Sequence, residues 1–146
     1  MDGLSDLFNQ LRIEGMSLIR RIKDEMWAES LTLEFKTTAS VSGQMTDDDR
    51  KNLGKALSGF ANSDGGIVIW GIGECKDNSE DPPVDKAKEL KPIDKLSGFL
   101  SDLQNYTPQL TSPPVIGVIH EPIRESEGAD TGYIISYIPA SEVNGQ

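Results

Sequence analysis

Leu53, Ala56, Leu57, Phe60 and Ala61 fall at offsets of 0, 3, 4, 7 and 8. This is the stripe of an amphipathic helix with one buried face. The stretch from Asn62 to Gly66 is polar and ends in two glycines. Asn and Gly tolerate the left-handed backbone that ends helices, so the helix should stop near Asn62. Ile67-Val68-Ile69-Trp70 follows as a continuous apolar run of strand length, suited to a strand covered on both faces. If that strand runs straight on, Val68, Trp70, Ile72 and Glu74 project together and Trp70 walls one side of Glu74.

The same reading extends along the chain. Leu4, Leu7, Phe8 and Leu11, then Leu18, Ile19, Ile22 and Met26, mark two short helices or one helix interrupted at Gly15. Residues 31–37 alternate, with Leu31, Leu33 and Phe35 on one side and Thr32, Glu34 and Lys36 on the other, which predicts a half-buried strand. Thr46 or Asp47 caps the central helix, and the aspartates that follow complement its dipole. Residues 75–91 mix charges of both signs around Asp81-Pro82-Pro83 without apolar period, as in a long exposed loop. Pro92 suits the first turn of a helix carrying Ile93, Leu96, Phe99, Leu100 and Leu103. Residues 115–119 and 133–138 read as two strands joined by a polar loop from Glu121 to Asp130. The order implies an α+β fold, a small mixed β-sheet flanked by helices.

Composition narrows this picture. The chain has 146 residues, 36% of them hydrophobic, enough for one core. No apolar run approaches the roughly 20 residues that span a bilayer, and the N-terminus lacks a signal-peptide pattern, so a cytoplasmic protein without membrane partners is expected. The single cysteine, Cys75, excludes an intramolecular disulfide and a Cys-based zinc site. Net charge is −10, from 24 acidic against 14 basic residues. That balance opposes indiscriminate coating of nucleic acid, so phosphate contacts would have to come from local basic sets. The densest such set is Arg50, Lys51 and Lys55 on the solvent side of the central helix, with Lys36 on the polar side of the preceding strand.

No phosphate-binding glycine loop and no nucleophile elbow occurs. The lone His120 has no nucleophile beside it in sequence and reads as structural. Carboxylates are left: Glu29, Glu34 and Glu74 lie at or near the ends of two core strands. Clustered carboxylates hold Mg²⁺ or Mn²⁺, but on spacing alone three solvated glutamates on an acidic protein are the simpler explanation. Glu29 and Glu34 can converge only if the chain bends near Ser30, because residues five apart on one strand face opposite ways.

Glu29-Ser30 followed by Leu33-Glu34-Phe35-Lys36, then Gly59-Phe60-Ala61-Asn62-Ser63-Asp64-Gly65-Gly66 and Ile69-Trp70-Gly71-Ile72, resembles the signature of the Schlafen AlbA_2 family. Ile138-Pro139-Ala140-Ser141 resembles the family's later V-P-x-S block. The resemblance implies an α+β, nucleic-acid-associated domain over residues 29–146, preceded by a helical segment over 1–28. It also implies a continuation beyond Gln146. In the vertebrate Schlafen branch it implies a metal-dependent endoribonuclease with an acidic trio. By motif that trio falls on Glu29, Glu34 and Glu74, with Asp77 as a substitute for Glu74, since the family carries an aspartate there.

Two functional readings follow. One is a nucleic-acid-binding domain for RNA or DNA, contacting phosphates through Lys36, Arg50, Lys51 and Lys55 and carrying metal-dependent endoribonuclease chemistry on Glu29, Glu34 and Glu74. The other is an acidic protein–protein interaction or homo-oligomerisation module of a larger regulator, without catalysis.

Overall fold

The computed structural model describes residues 3–141. Residues 142–146 of the span expected for the domain lie outside the described residues. Four helices and seven strands follow in the order α1 (Gly3–Glu14), α2 (Met16–Asp24), β1 (Leu33–Lys36), α3 (Asp47–Ala61), β2 (Gly66–Trp70), β3 (Ile72–Asp77), β4 (Val84–Leu90), β5 (Ile93–Asp94), α4 (Leu96–Tyr106), β6 (Ile119–Arg124) and β7 (Thr131–Ile138). The fold is α+β.

β7 is the spine of the main sheet. It pairs antiparallel with β2 through Val68↔Ser136 and with β6 through His120↔Ser136, so β2 and β6 occupy its opposite edges. β5 pairs with Thr131 and Gly132 of β7. Because β6 already holds the other edge at Gly132, β5 prolongs the line of β2 after the chain has left it. β1 closes the far side, parallel to β2 and joined to it through α3. The sheet is mixed.

Two cores flank it. Ile67 and Ile69 face α1 and α2, packing with Leu11, Leu18, Ile19 and Ile22. Val68 and Trp70 face α3 and α4, packing with Leu53, Leu57, Phe99 and Leu103. All four strand residues are fully buried, as an uninterrupted apolar run in a doubly covered strand requires. α3 starts at a capping box in which the Thr46 side chain accepts from the Asp49 N–H and Asp49 accepts from the Thr46 N–H. Asp49 also accepts from the Thr38 hydroxyl at 2.5 Å, so this buried carboxylate is consumed by helix initiation.

The structure departs from the sequence pattern at five places. Leu31 sits in a turn and is 88% exposed, because Ser30 and Leu33 pair with each other and delay the strand to Leu33. Gly71, at φ 113°, breaks the central strand. There the chain crosses to a second sheet, so Ile72 joins the α1/α2 core while Trp70 stays on the opposite face. Trp70 therefore does not wall Glu74. A Cβ at Gly71 would lie 2.5 Å from the Tyr133 ring, which makes glycine necessary on steric as well as torsional grounds. Residues 75–91 are largely a hairpin of β3 and β4 rather than a loop; its bulge between Gly73 and Glu74 disrupts the period that would have marked it. Residues after Pro92 pair with β7 before α4 begins at Leu96. Finally, β6 starts at Ile119, since Gly117 at φ 88° turns the preceding segment away from the sheet.

Candidate metal centre and adjoining groove

Glu29 leaves α2 on an extended segment that docks along β4. Its N–H donates to the Asp85 carbonyl at 2.8 Å, Ala28 bridges Lys86, and the Ala87 N–H donates to the Trp27 carbonyl at 2.8 Å. The chain then reverses through Ser30, whose Oγ accepts from the Thr32 N–H at 3.2 Å. This is the bend that convergence requires. It returns β1 beside Glu29, and the Glu29 carboxylate accepts from the Phe35 N–H at 2.8 Å. Glu29 thus satisfies a donor on the free edge of β1, a structural duty separate from any ligand.

The β3–β4 hairpin supplies the other carboxylates. Carboxylate oxygens of Glu29, Glu74 and Asp85 lie within 4.8 Å of one another. Glu74 is exposed as a residue, yet partial desolvation of its carboxyl, a hydrogen bond with Glu29 and the charges of Glu29 and Asp85 push its pKa up to about 8. Lys36 opposes this shift. Like charges gathered this closely favour the protonated form of Glu74.

Glu34 stands apart from this trio. It lies on the opposite face of β1 from Leu33 and Phe35, ion-paired to Lys36 at 3.5 Å. Asp77 lies towards the hairpin tip. It pairs with Lys86 at 2.8 Å and accepts from Ser79, which holds its carboxyl below the usual range. Asp85 is the member that the sequence pattern concealed, because its strand was masked by the bulge and by the charges around it. An Asp placed two positions before the buried Ala87 was the available signal.

Beside the carboxylates, a groove of about 350 Å³ runs between the turn before β1 and α3. Glu29, Glu34, Leu31 and Leu33 line one wall, Lys55, Gly59 and Phe60 the other. A shallower depression along the outer face of α3 carries Arg50, Lys51 and Lys55. These cations differ in their freedom. Arg50 donates to the Met45 carbonyl at 3.2 Å, pairs with Asp47 and covers the Tyr106 ring at 5.2 Å. Among the described residues, Lys51 and Lys55 form no ion pair.

The profile of the Schlafen, AlbA_2 family matches residues 29–142. The chain belongs to the Schlafen, AlbA_2 family. Its match begins at Glu29 and contains every residue of the carboxylate cluster and groove. The fold of this Schlafen AlbA_2 chain is also similar to the solution structure of the N-terminal domain of an ATP-dependent DNA helicase RecG-related protein from Nitrosomonas europaea. The TM-score is 0.50 at 17% identity, over 100% of this chain and 78% of that one. No curated protein sequence matches the chain at a significant level. Among the described residues, no helix is long and apolar enough to cross a membrane.

His120 anchors a second polar cluster, inside the sheet. The Thr107 hydroxyl donates to the Leu103 carbonyl at 2.6 Å, so it must accept from His120 Nε2–H at 2.8 Å. The other ring nitrogen, Nδ1, then accepts from the Ser136 hydroxyl at 2.6 Å, and Ser136 accepts from Trp70 Nε1–H at 3.0 Å. The chain of donors closes with a neutral imidazole, and burial holds the His120 pKa down to about 4. His120 is structural.

Proposed function

We propose that this chain is a nucleic-acid-binding domain in which Glu29, Glu74 and Asp85 hold a divalent cation, Mg²⁺ or Mn²⁺, at the phosphodiester. The observation that carries this reading is the convergence of three carboxylates within 4.8 Å beside a groove whose far lip bears Lys55, which forms no ion pair among the described residues. Family membership supports the nucleic-acid partner. The donor set fits the ion: all three ligands are hard oxygens, and the exposed side of Glu74 leaves room for water or a phosphate oxygen.

When bound, the cation would supply positive charge for a phosphate oxygen and acidify a coordinated water, the chemistry of metal-dependent RNA hydrolysis. The chain's own residues do the rest. Glu29, fixed by Phe35 N–H and by its docking on β4, sets the position of the site relative to β1. Glu74 and Asp85, on the β3–β4 hairpin, would supply the other two carboxylate oxygens. Lys36 pairs with Glu34, and its charge limits the repulsion felt at Glu74. Lys51 and Lys55 take backbone phosphates, so affinity falls as salt rises.

The test is a fluorescence titration of RNA and DNA oligonucleotides with and without Mn²⁺, followed by a cleavage assay. Binding that weakens with salt and in Lys51→Glu/Lys55→Glu, and cleavage that is lost in Glu74→Gln and Asp85→Asn, is the expected result. Equal cleavage by these variants and the wild type would identify a contaminant. Absence of binding to every oligonucleotide at low salt would remove the reading.

A further inference from the structure

From the groove we infer the form of nucleic acid that the domain takes: a single strand, one of whose unpaired bases enters between Leu31 and Phe60, with its edge on Glu34 and its phosphate on Lys55. The inference rests on the proposed nucleic-acid function and adds the substrate class.

Three features of the groove point this way. The first is apolar surface placed for contact. Leu31 is 88% exposed at the tip of its turn and lines the groove, while Leu33 and Phe60, 7% and 9% exposed, show only their edges to it from the two cores. A flat ring between such side chains gains stacking and dispersion that a phosphate backbone cannot. The second is space kept open by Gly59, which sits inside α3. A Cβ there would meet no atom within 4 Å, so no packing requirement explains a residue that weakens the helix by roughly 1 kcal/mol relative to alanine. The size of the groove, about 350 Å³, is at the lower end for small-ligand pockets, on the scale of one nucleotide rather than a duplex.

The third feature is the polar pattern. Glu34 lines the groove with its carboxylate paired to Lys36. An ionised carboxylate offers two acceptors and no donor. Of the four common bases, only guanine presents two adjacent ring and exocyclic N–H groups on one edge, so guanine is the preferred occupant. At the opposite lip Lys55 is free to meet a phosphate, and Lys51, one turn earlier and about 6 Å along the helix, lies on the outer face of α3. A basic side chain from a protein partner would satisfy Glu34 and the apolar walls, but it would face Lys55. A nucleotide complements all three.

The test uses the full chain with fluorescent single-stranded RNA and DNA of about eight nucleotides, a typical single-strand site size, and the matching duplexes. Guanine-containing strands should bind roughly tenfold tighter than their duplexes, in line with stacking of one base. Gly59→Leu should fill the groove and bring single-strand affinity down to the duplex level, while its Tm stays at or above that of the wild type. Glu34→Gln should erase the preference for guanine over uracil and leave duplex binding as it was. Equal affinity for strands and duplexes, or a Gly59→Leu variant that binds single strands like the wild type, would overturn the groove while leaving the nucleic-acid function intact. If the wild type binds no oligonucleotide and instead takes up an arginine-rich peptide that Gly59→Leu excludes, both readings fall.

Discussion

The two polar clusters of this domain are built on opposite plans. Around His120, each donor has an acceptor: Trp70, Ser136, His120, Thr107 and the Leu103 carbonyl form one chain inside the sheet. Around Glu74, three carboxylates face one another near the surface, and partial desolvation with the neighbouring Glu29 and Asp85 raises the Glu74 pKa. A fully paired buried network stabilises a unique core, whereas an incompletely compensated one lowers stability unless a ligand completes it. The contrast lies between a cluster whose polar groups are all satisfied within the fold and one whose like charges are not, although both are made of ordinary polar side chains.

The buried cluster should be the more sensitive to truncation. Ser136→Ala leaves the Trp70 N–H without its acceptor and His120 Nδ1 without its donor, at a cost of about 2 to 4 kcal/mol from two unsatisfied buried groups. Urea denaturation should show this as a lower midpoint at unchanged slope.

Acid should find the same cluster next. His120 has a folded-state pKa of about 4 against an ordinary value of 6.5. Below 6.5 the unfolded chain takes up a proton that the folded chain refuses, so the stability contributed by neutral His120 is complete above pH 6.5 and is lost as pH falls towards 4. The full loss is of order 3 kcal/mol. His120→Gln should start less stable at pH 7 and lose less between pH 6.5 and 4; parallel pH profiles for the two proteins would defeat the assignment.

Glu74 should show the opposite slope. Its folded pKa is raised above 4.5, so the folded state binds more protons than the unfolded state between pH 4.5 and about 8. Stability should therefore fall as pH rises through that window, an effect screened by the exposure of the group. Glu74→Gln should remove the slope. Addition of Mn²⁺ at 100 times its dissociation constant should stabilise the wild type by about 2.7 kcal/mol at pH 8 and leave Glu74→Gln unmoved in a thermal melt.

The smallest change in stability belongs to the outer face of α3. Lys51→Ala and Lys55→Ala remove side chains with no ion pair among the described residues, so each should stay within about 0.5 kcal/mol of the wild type. Their effect should appear instead as weaker oligonucleotide binding and a shallower dependence of affinity on salt. A large loss of stability would mean that these lysines serve the fold.

Much of the scaffold is legible in the sequence. The period of residues 53–61, the cap at Thr46 and the apolar run 67–70 are local patterns in which propensity, burial and turn chemistry agree, so α3 and β2 form where the pattern puts them. The motif blocks located Glu29 and Glu74, and the alternation around Phe35 placed Glu34 and Lys36 together on one face. The partners of these residues were a different matter. Gly71 redirects the chain by a single backbone torsion, which moves Ile72 to the other face and takes Glu74 away from Trp70. A one-residue bulge disguised β3 and β4, and with them Asp85, whose proximity to Glu29 comes from docking of residues 27–29 along the hairpin. Sequence by itself determined α3, β2 and which residue types could carry chemistry, because those depend on near neighbours in the chain. Only the tertiary structure decided which carboxylates meet, because that depends on how two distant segments are registered against each other, and one glycine or one bulge is enough to change it.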